Sequence, residues 1–198
     1  SIRIVSRSLM CGGFNDKLAA LNYHLIMRFY LSVFVLIFAS GVSYGQTDKL
    51  PTSEFDQFNL GVQYDKGFGV SKNYEIAVVW YAKAAGQGNT KAQNNLGTMY
   101  EDGRGVVKND TAAVKWYTKA AEQGNKAAQN NLGFMYAKGK GVTANNVKAH
   151  MWWNLAILNG SADAENKKKI ISKKMTKEQI KRAQDLSERC LADSYKDC

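Results

Sequence analysis

The chain has 198 residues, of which 45% are hydrophobic and 22% are charged. This composition is typical of a folded protein, excludes a disordered one, and suits one domain of ordinary size. The net charge of +10 raises the possibility of a nucleic-acid ligand. However, the basic excess is spread along the chain rather than gathered in one strip, so we predict no nucleic-acid partner.

The N-terminal part contains a pattern typical of an export signal. Met27 and the following arginine precede an apolar run over residues 29–39, and small residues follow up to Gly45. This order indicates a secretory signal peptide over residues 27–45, and its apolar run is shorter than the roughly 20 residues of a membrane-spanning helix. We therefore expect a periplasmic or secreted protein with no stable membrane span after cleavage; an uncleaved anchor is the alternative. Residues 1–26 are expected to be a non-native upstream segment.

The remaining chain, from residue 46 onward, contains three copies of one unit at a spacing of 36 residues. Each copy carries a Leu-Gly pair, a tyrosine, two glycines, an alanine and a tryptophan in register. The tryptophans are Trp80, Trp116 and Trp152, and the glycine pairs are Gly67/Gly69, Gly103/Gly105 and Gly139/Gly141. A fixed period in this range is the signature of a solenoid of stacked repeats. We place the three repeats in residues 46–161.

The middle copy shows what one repeat is made of. Thr90 is suited to cap a first helix that ends near Gly103, and Asp110 is suited to cap a second helix. The apolar residues of each helix fall on one face, and the second helix places Trp116 and Tyr117 on that face. Each copy is therefore predicted to be a helix–turn–helix hairpin that is stable only when neighbouring hairpins cover it.

The C-terminal region, residues 162–198, is predicted to cap this solenoid with further helices. Thr176 begins a last helix, with Gln179 placed to complete a capping box. In the third copy Met151 and Leu155 replace the lysines of the middle copy, which predicts that the C-terminal helices cover this surface. The run of lysines around residues 167–177 is interpreted as a solvated helix face, and a patch for an anionic surface is the alternative.

Two cysteines remain near the C-terminus, Cys190 and Cys198. In an oxidising compartment we expect them to form a disulfide, and free thiols are the alternative. With His150 distant in the sequence and no further cysteine nearby, they do not make a zinc site, so we predict no metal and no cofactor. His150 is interpreted as a packed residue rather than a catalytic base.

The repeated string Leu-Gly-x-x-Tyr-x-x-Gly-x-Gly-Val, followed by Ala-x-x-Trp-Tyr-x-Lys-Ala-Ala-x-Gln-Gly-Asn in the middle copy, closely resembles the Sel1-like repeat. The match covers roughly residues 57–165, and the C-terminal region looks like the ending of exported bacterial members. The resemblance implies an all-α, right-handed α/α superhelix, related to the tetratricopeptide repeat, that acts as an adaptor for other proteins. We therefore predict a monomer that binds a protein or peptide partner.

By analogy with tetratricopeptide grooves, the side of each first helix opposite the apolar stripe should form a concave face. The candidate partner-binding residues on this face are Phe58, Val62, Asp65, Asn94, Thr98, Glu101, Asn130 and Phe134. The two phenylalanines are aromatic side chains at positions where exposure is expected, which suits interface anchors. The alternative is that both pack against neighbouring segments of the chain.

Enzymatic functions find little support in the sequence. Some exported cysteine-rich relatives of the Sel1-like family are associated with penicillin binding or β-lactam hydrolysis, so a cell-wall or β-lactam-directed enzyme is one alternative. The chain has no Ser-x-x-Lys and no Lys-Thr-Gly, and no glycine pair continues into a phosphate-binding motif. We predict a non-enzymatic protein; a basic surface that binds an anionic polymer is the second alternative.

Overall fold

The computed structural model describes residues 51–195 and residue 198. The predicted signal peptide over residues 27–45, and the upstream segment before it, lie outside the described residues. The described part of the chain contains eight α-helices and no strand. They are α1 (Glu54–Lys66), α2 (Tyr74–Gly86), α3 (Thr90–Asp102), α4 (Asp110–Ala121), α5 (Lys126–Lys138), α6 (Asn146–Leu158), α7 (Ala162–Ser172) and α8 (Lys177–Ala192).

The helices are arranged as three hairpins followed by a two-helix cap. The pairs α1/α2, α3/α4 and α5/α6 are the three hairpins, and the first helix of each later hairpin packs on the second helix of the hairpin before it. The two C-terminal helices, α7 and α8, both pack on α6. The fold is therefore the all-α helical-repeat superhelix that the sequence predicts.

Asparagines, rather than the predicted Thr90 and Asp110, cap the helices of the middle hairpin. The side chain of Asn89 accepts a hydrogen bond from the third residue after it, and Asn109 does the same for α4. Thr90 and Asp110 are the first helical residues, so the predicted caps were wrong by one position. Both asparagines have the extended backbone conformation of an N-cap, so the geometry of the preceding turn determines which residue caps each helix. The capping box at Thr176 is present as predicted.

Each hairpin is held together by an aromatic ring that lies directly on a glycine of the first helix. A Cβ atom added at Gly97 would come within 2.7 Å of the Tyr117 ring. The same is true of Gly133, where the ring is the indole of Trp153. These rings are buried, with Tyr117 0% exposed and Trp153 4% exposed. The glycine therefore lets the two helices approach closely enough for a large ring to fill the space between them.

In the second and third repeats, the second glycine of the pair marks a contact with the preceding repeat. Gly105 has φ +70°, and a Cβ atom there would collide with the backbone of Tyr74 at the start of α2. Gly141 stands in the same relation to Asp110 at the start of α4. The glycine pairs therefore form turns and close contacts, as the sequence indicates.

A buried amide ladder also connects the repeats. Gln93 is 4% exposed and Gln129 is 0% exposed, and each donates to a backbone carbonyl in the helix before its own. The side-chain oxygen of Gln93 accepts a hydrogen bond from Gln123, and that of Gln129 accepts one from Asn159. Asn159 thus keeps the amide function of Gln123 although the surrounding sequence differs. A buried amide with both ends paired avoids a desolvation cost of about 1–3 kcal/mol.

The tryptophans are not equally buried, although Trp116 packs on a core cluster as the sequence predicts. Trp152 is 2% exposed, whereas Trp80 and Trp116 are half-buried. The ammonium group of Lys119 lies 4.7 Å from the centre of the Trp116 ring, and that of Lys83 lies 4.3 Å from the Trp80 ring. The first two tryptophans therefore keep one side at the surface, beneath a lysine.

The C-terminal helices cover the third repeat, as the sequence predicts. Met151 and Leu155 are 0% exposed and belong to the same buried cluster as Trp152 and as Cys190 of α8. The structure pairs Cys190 with Cys198, and the Cα atoms of the two residues are 5.4 Å apart.

Candidate partner-binding face

The eight candidate residues lie on the first helices of the three hairpins. We call the surface that they mark the A-helix face. It consists of Phe58, Val62 and Asp65 on α1, Asn94, Thr98 and Glu101 on α3, and Asn130 and Phe134 on α5. These helices occupy equivalent places in consecutive repeats, so corresponding side chains recur from one repeat to the next.

The two carboxylates of this face are held by groups from their own repeat and from the next one. Glu101 accepts a 2.9 Å hydrogen bond from the Tyr117 hydroxyl and forms a 2.7 Å ion pair with Lys140 of the following repeat. The guanidinium of Arg104, in the repeat that follows Asp65, lies 3.5 Å from the Asp65 carboxylate. Arg104 is the counterpart of Lys140, so this is the same contact at the preceding junction. Asp65 is 5% exposed. The carboxylates are thus neutralised by neighbouring cations, and Asp65 itself has little surface to offer a partner.

The ionisable groups around the carboxylates keep their neutral-pH charge states. Burial raises the pKa of Tyr81 to about 12, and it raises the pKa of Tyr117 as well. The hydrogen bond with Glu101 raises the pKa of Lys140. At neutral pH both tyrosines are therefore hydrogen-bond donors and Lys140 is a cation, an arrangement that stabilises the repeat junction rather than one that transfers protons.

The middle of the A-helix face is rich in amides that bond across the repeats. The side-chain oxygen of Asn94 accepts a 3.1 Å hydrogen bond from Asn131, and that of Asn130 accepts one of the same length from Lys167 in α7. Thr98 accepts a hydrogen bond from the Tyr117 hydroxyl. All of these polar residues of the face are half-buried. The centre of the face is therefore polar, and the ammonium group of Lys167 lies at its edge, against Asn130.

The predicted aromatic anchors are only partly available. The centres of the Phe58 and Tyr81 rings are 5.9 Å apart. Phe58 and Val62 both pack on the buried cluster that contains Tyr81 and Leu96. Phe134 packs on two buried clusters, and the ammonium group of Lys140 lies 5.5 Å from the centre of its ring. Both phenylalanines are half-buried, so each has one side in the core and another toward the surface.

Phe55 is the most exposed aromatic residue in this region, and the sequence pattern did not identify it. Phe55 is 65% exposed and lies one turn before Phe58 on α1, in a shallow groove between the beginnings of α1 and α3. The corresponding residues of the other repeats are Lys91 and Ala127. An aromatic residue where the repeat elsewhere has lysine or alanine is the signal that could have identified it.

The described residues bring no catalytic constellation together. His150 is 3% exposed, its Nδ1 atom has no hydrogen-bond partner among the described residues, and burial together with the charge of Lys168 lowers its pKa. Its imidazole is therefore neutral at pH 7. No group of three or more histidine, cysteine, aspartate or glutamate side chains suited to a metal ion occurs in the described ranges.

Comparison with known proteins gives the family. The profile of the Sel1 repeat matches residues 56–89, 90–125 and 126–161, which is more than half of the chain. The chain belongs to the Sel1 repeat family. Sel1-repeat proteins are generally non-enzymatic helical scaffolds for protein interactions. Among curated protein sequences, no significant match was found.

Solved structures of Sel1-repeat proteins have the same fold. A Sel1 repeat protein from Oxalobacter formigenes is 46% identical over 57% of this chain and 46% of its own, with a TM-score of 0.56. A protective antigen of uropathogenic Escherichia coli strains, which displays an SLR fold, is 31% identical over 72% of this chain and 39% of its own, with a TM-score of 0.60. Cysteine rich protein B of Helicobacter pylori is 25% identical over 57% of this chain and 84% of its own, with a TM-score of 0.50.

The chain thus spans less than half the length of the first two of these relatives. Among residues 51–195, no helix combines the length and the hydropathy that a membrane span requires.

Proposed function

We propose that this Sel1-repeat protein is an exported, monomeric adaptor that binds a protein or peptide partner on a concave A-helix face. The family supports the general role, since Sel1 repeats are scaffolds for protein interactions. The placement of the site is our inference from the repeated side chains of α1, α3 and α5. The partner itself is a protein or peptide whose identity the fold does not give.

One observation carries the placement of the site. The exposed ring of Phe55 stands beside the half-buried Phe58 and Val62, and the uncharged amides of the middle repeat follow along the face. An aromatic anchor next to amide donors and acceptors suits a polypeptide, whose side chain can contact the ring while its backbone bonds to the amides. The neutralised carboxylates do not repel a partner of either charge.

Site-specific photo-crosslinking tests this proposal. A photoreactive phenylalanine analogue is placed at Phe55, and separately at Phe68 and Val107, which are 64% and 88% exposed but lie in the loops between helices. In cells that produce the protein, the analogue at Phe55 should give one discrete adduct that mass spectrometry identifies. The same adduct in equal yield from Phe68 and Val107 would place the partner elsewhere.

Alanine variants then measure the contribution of the anchor. With the identified partner, Phe55→Ala should weaken binding by about tenfold or more, and Phe68→Ala should leave it unchanged. Replacing Phe58 and Phe134 is a less clean test, because both rings also pack on the core. Their loss should lower stability together with binding, whereas Phe55→Ala should change only binding.

Export is part of the same proposal and has its own test. The signal-like pattern over residues 27–45, the pairing of Cys190 with Cys198 and the bacterial relatives support a periplasmic or secreted location. N-terminal sequencing of the protein isolated from its natural source should give a chain that begins at Gln46. A first residue upstream of Met27 would contradict this assignment.

A further inference from the structure

The turn that joins α7 and α8 carries the densest positive charge of the described chain. Between Lys167 and Arg182 the sequence has eight basic residues and a single acidic one, Glu178. The other acidic residues of the C-terminal region lie before and after this stretch. The net charge of the whole region is therefore much smaller than that of the stretch. We call residues 169–181, from the end of α7 into α8, the basic turn.

The lysines of the basic turn have no carboxylate partner within the described residues. Lys169, Lys173, Lys174, Lys177 and Lys181 are all exposed. The ion pairs found in residues 51–195 use Lys66, Arg104 and Lys140 instead. Lys167 and Lys168, just before the turn, reach Asn130 and Asn154 and so anchor α7 to the repeats. The five exposed lysines have no such structural contact.

Helix stability does not account for this charge either. A cation is favourable near the C-terminus of a helix, which suits Lys169 at the end of α7. Lys177, however, is the first residue of α8, and Lys181 follows one turn later. A cation at the N-terminus of a helix is unfavourable, because the exposed backbone N–H groups there carry partial positive charge.

An exposed apolar side chain lies among these lysines. Ile170 is 60% exposed, whereas its neighbour Ile171 is 7% exposed and packs against α6. Ile170 and Lys173, the αR C-cap residue of α7, are three residues apart, so the two lie on the same side of this helix end. The exposed aliphatic side chain of Ile170 thus lies next to lysines that form no ion pair with a carboxylate of the described residues.

We propose that the basic turn binds the surface of an anionic lipid bilayer. The lysines attract acidic headgroups, and Ile170 inserts at the boundary between headgroups and acyl chains while the lysine ammonium groups remain at the headgroup level. This contact is peripheral and requires no membrane-spanning helix. It lies on the C-terminal cap, which packs on α6, whereas Phe55 lies on α1 of the first hairpin.

The composition of the turn favours lipid over other anionic ligands. Nucleic-acid sites combine arginines with aromatic side chains that stack on bases. The stretch from Lys167 to Arg182 contains no aromatic residue and a single arginine among its eight basic residues. Basic residues beside an exposed apolar side chain match the pattern of peripheral sites on anionic membranes.

Vesicle flotation tests the proposal with the protein in the form isolated from the cell. Vesicles contain either phosphatidylcholine alone or an equal mixture with phosphatidylglycerol, and binding to the neutral vesicles measures any contribution from the N-terminal segment. The protein should partition at least tenfold more strongly to the anionic vesicles, and 0.5 M salt should abolish the difference.

Variants locate the binding surface. Each lysine near an anionic bilayer contributes roughly fivefold in partition, so K169Q/K173Q/K174Q should lose about 100-fold. The matched control K108Q/K115Q/K138Q removes the same charge from exposed lysines of the repeats and should lose less than about threefold. Ile170→Ser should weaken binding by several-fold and should do so in high salt as well.

Three results would overturn the proposal. These are equal partition to neutral and anionic vesicles, an equal loss in the two triple variants, and displacement of the protein from vesicles by equimolar single-stranded DNA. The outcome is independent of the adaptor role, since crosslinking at Phe55 reports on the A-helix face alone.

Discussion

The second and third repeats are hairpins of the same kind, yet their sequences differ where each hairpin contacts the next element of the chain. Glu101 of the second repeat forms an ion pair with Lys140, which belongs to the third repeat. The corresponding residue of the third repeat is Ala137. It is followed by the cap instead of a fourth hairpin that would supply the cation.

The outer surfaces of the two repeats differ for the same reason. Lys119 is exposed and lies over the Trp116 ring, whereas the equivalent Leu155 is buried beneath α8. The comparison teaches that the internal positions of a repeat identify the family, while the junction positions report what is packed against each copy. The following predictions test whether the neighbour determines the energetic role of these positions.

The largest expected effect is on the free energy of unfolding, and it differs between Trp152 and Trp116. Trp152→Ala should reduce the free energy of unfolding by about 3–5 kcal/mol, because it leaves a cavity between α6 and α8. Trp116→Ala should cost about 1–2 kcal/mol, since less of its surface is buried. Urea denaturation of both variants measures the difference. Equal costs would show that the cap adds nothing to the burial of Trp152.

A second contrast concerns two helical glycines. Gly97→Ala should cost about 1–3 kcal/mol, because the added methyl group collides with the Tyr117 ring. Gly86, at the end of α2, has no atom within 4 Å of the position of an added Cβ. Gly86→Ala should therefore stabilise the protein by roughly 0.5–1 kcal/mol. A neutral Gly97→Ala would mean that the ring can move away from α3.

Much of the fold follows from the sequence because the same local pattern occurs three times. The hairpins, the glycine turns and the cover over Leu155 each rest on a comparison between copies. The partial exposure of Trp116 could not be predicted, because periodicity places this residue on an apolar face but does not reveal how much of that face a neighbouring helix covers. The predicted capping residues were wrong because Asn89 and Thr90 are both good capping residues, and only the geometry of the turn selects between them.

The candidate site was less predictable than the fold. Sequence spacing indicates that Asp65 belongs to the first helix, but its burial depends on Arg104 and Tyr81, which are distant in the sequence. Phe55 was not identified because its position differs in all three repeats (Phe55, Lys91 and Ala127), so it lies outside the recurring pattern. Side-chain exposure at a junction depends on several helices together, and one helix period does not contain that information.

A third prediction uses the buried tyrosines, which occur in the first two repeats and are replaced by Trp153 in the third. Burial raises the pKa of Tyr81 from 10.0 to about 12. Between these values the unfolded chain loses a proton that the folded chain retains, so stability should fall as the pH rises from about 10. Tyr81→Phe should make this fall shallower, as measured by urea midpoints at a series of alkaline pH values. Trp153→Phe is the control and should leave the slope unchanged, because an indole does not titrate; an unchanged slope in Tyr81→Phe would contradict the prediction.

The smallest expected effect concerns the ion pair between the second and third repeats. Lys140→Met should cost about 0.5–1 kcal/mol, because the pair is partly exposed and Glu101 keeps its hydrogen bond from Tyr117. Lys138→Met removes an exposed lysine two residues earlier and should be neutral. A double-mutant cycle with Glu101→Gln isolates the pair, and its coupling energy should account for most of the cost of Lys140→Met. A coupling near zero would mean that this ion pair does not help to join the repeats, and that the change from glutamate to Ala137 in the last repeat does not result from the missing cation.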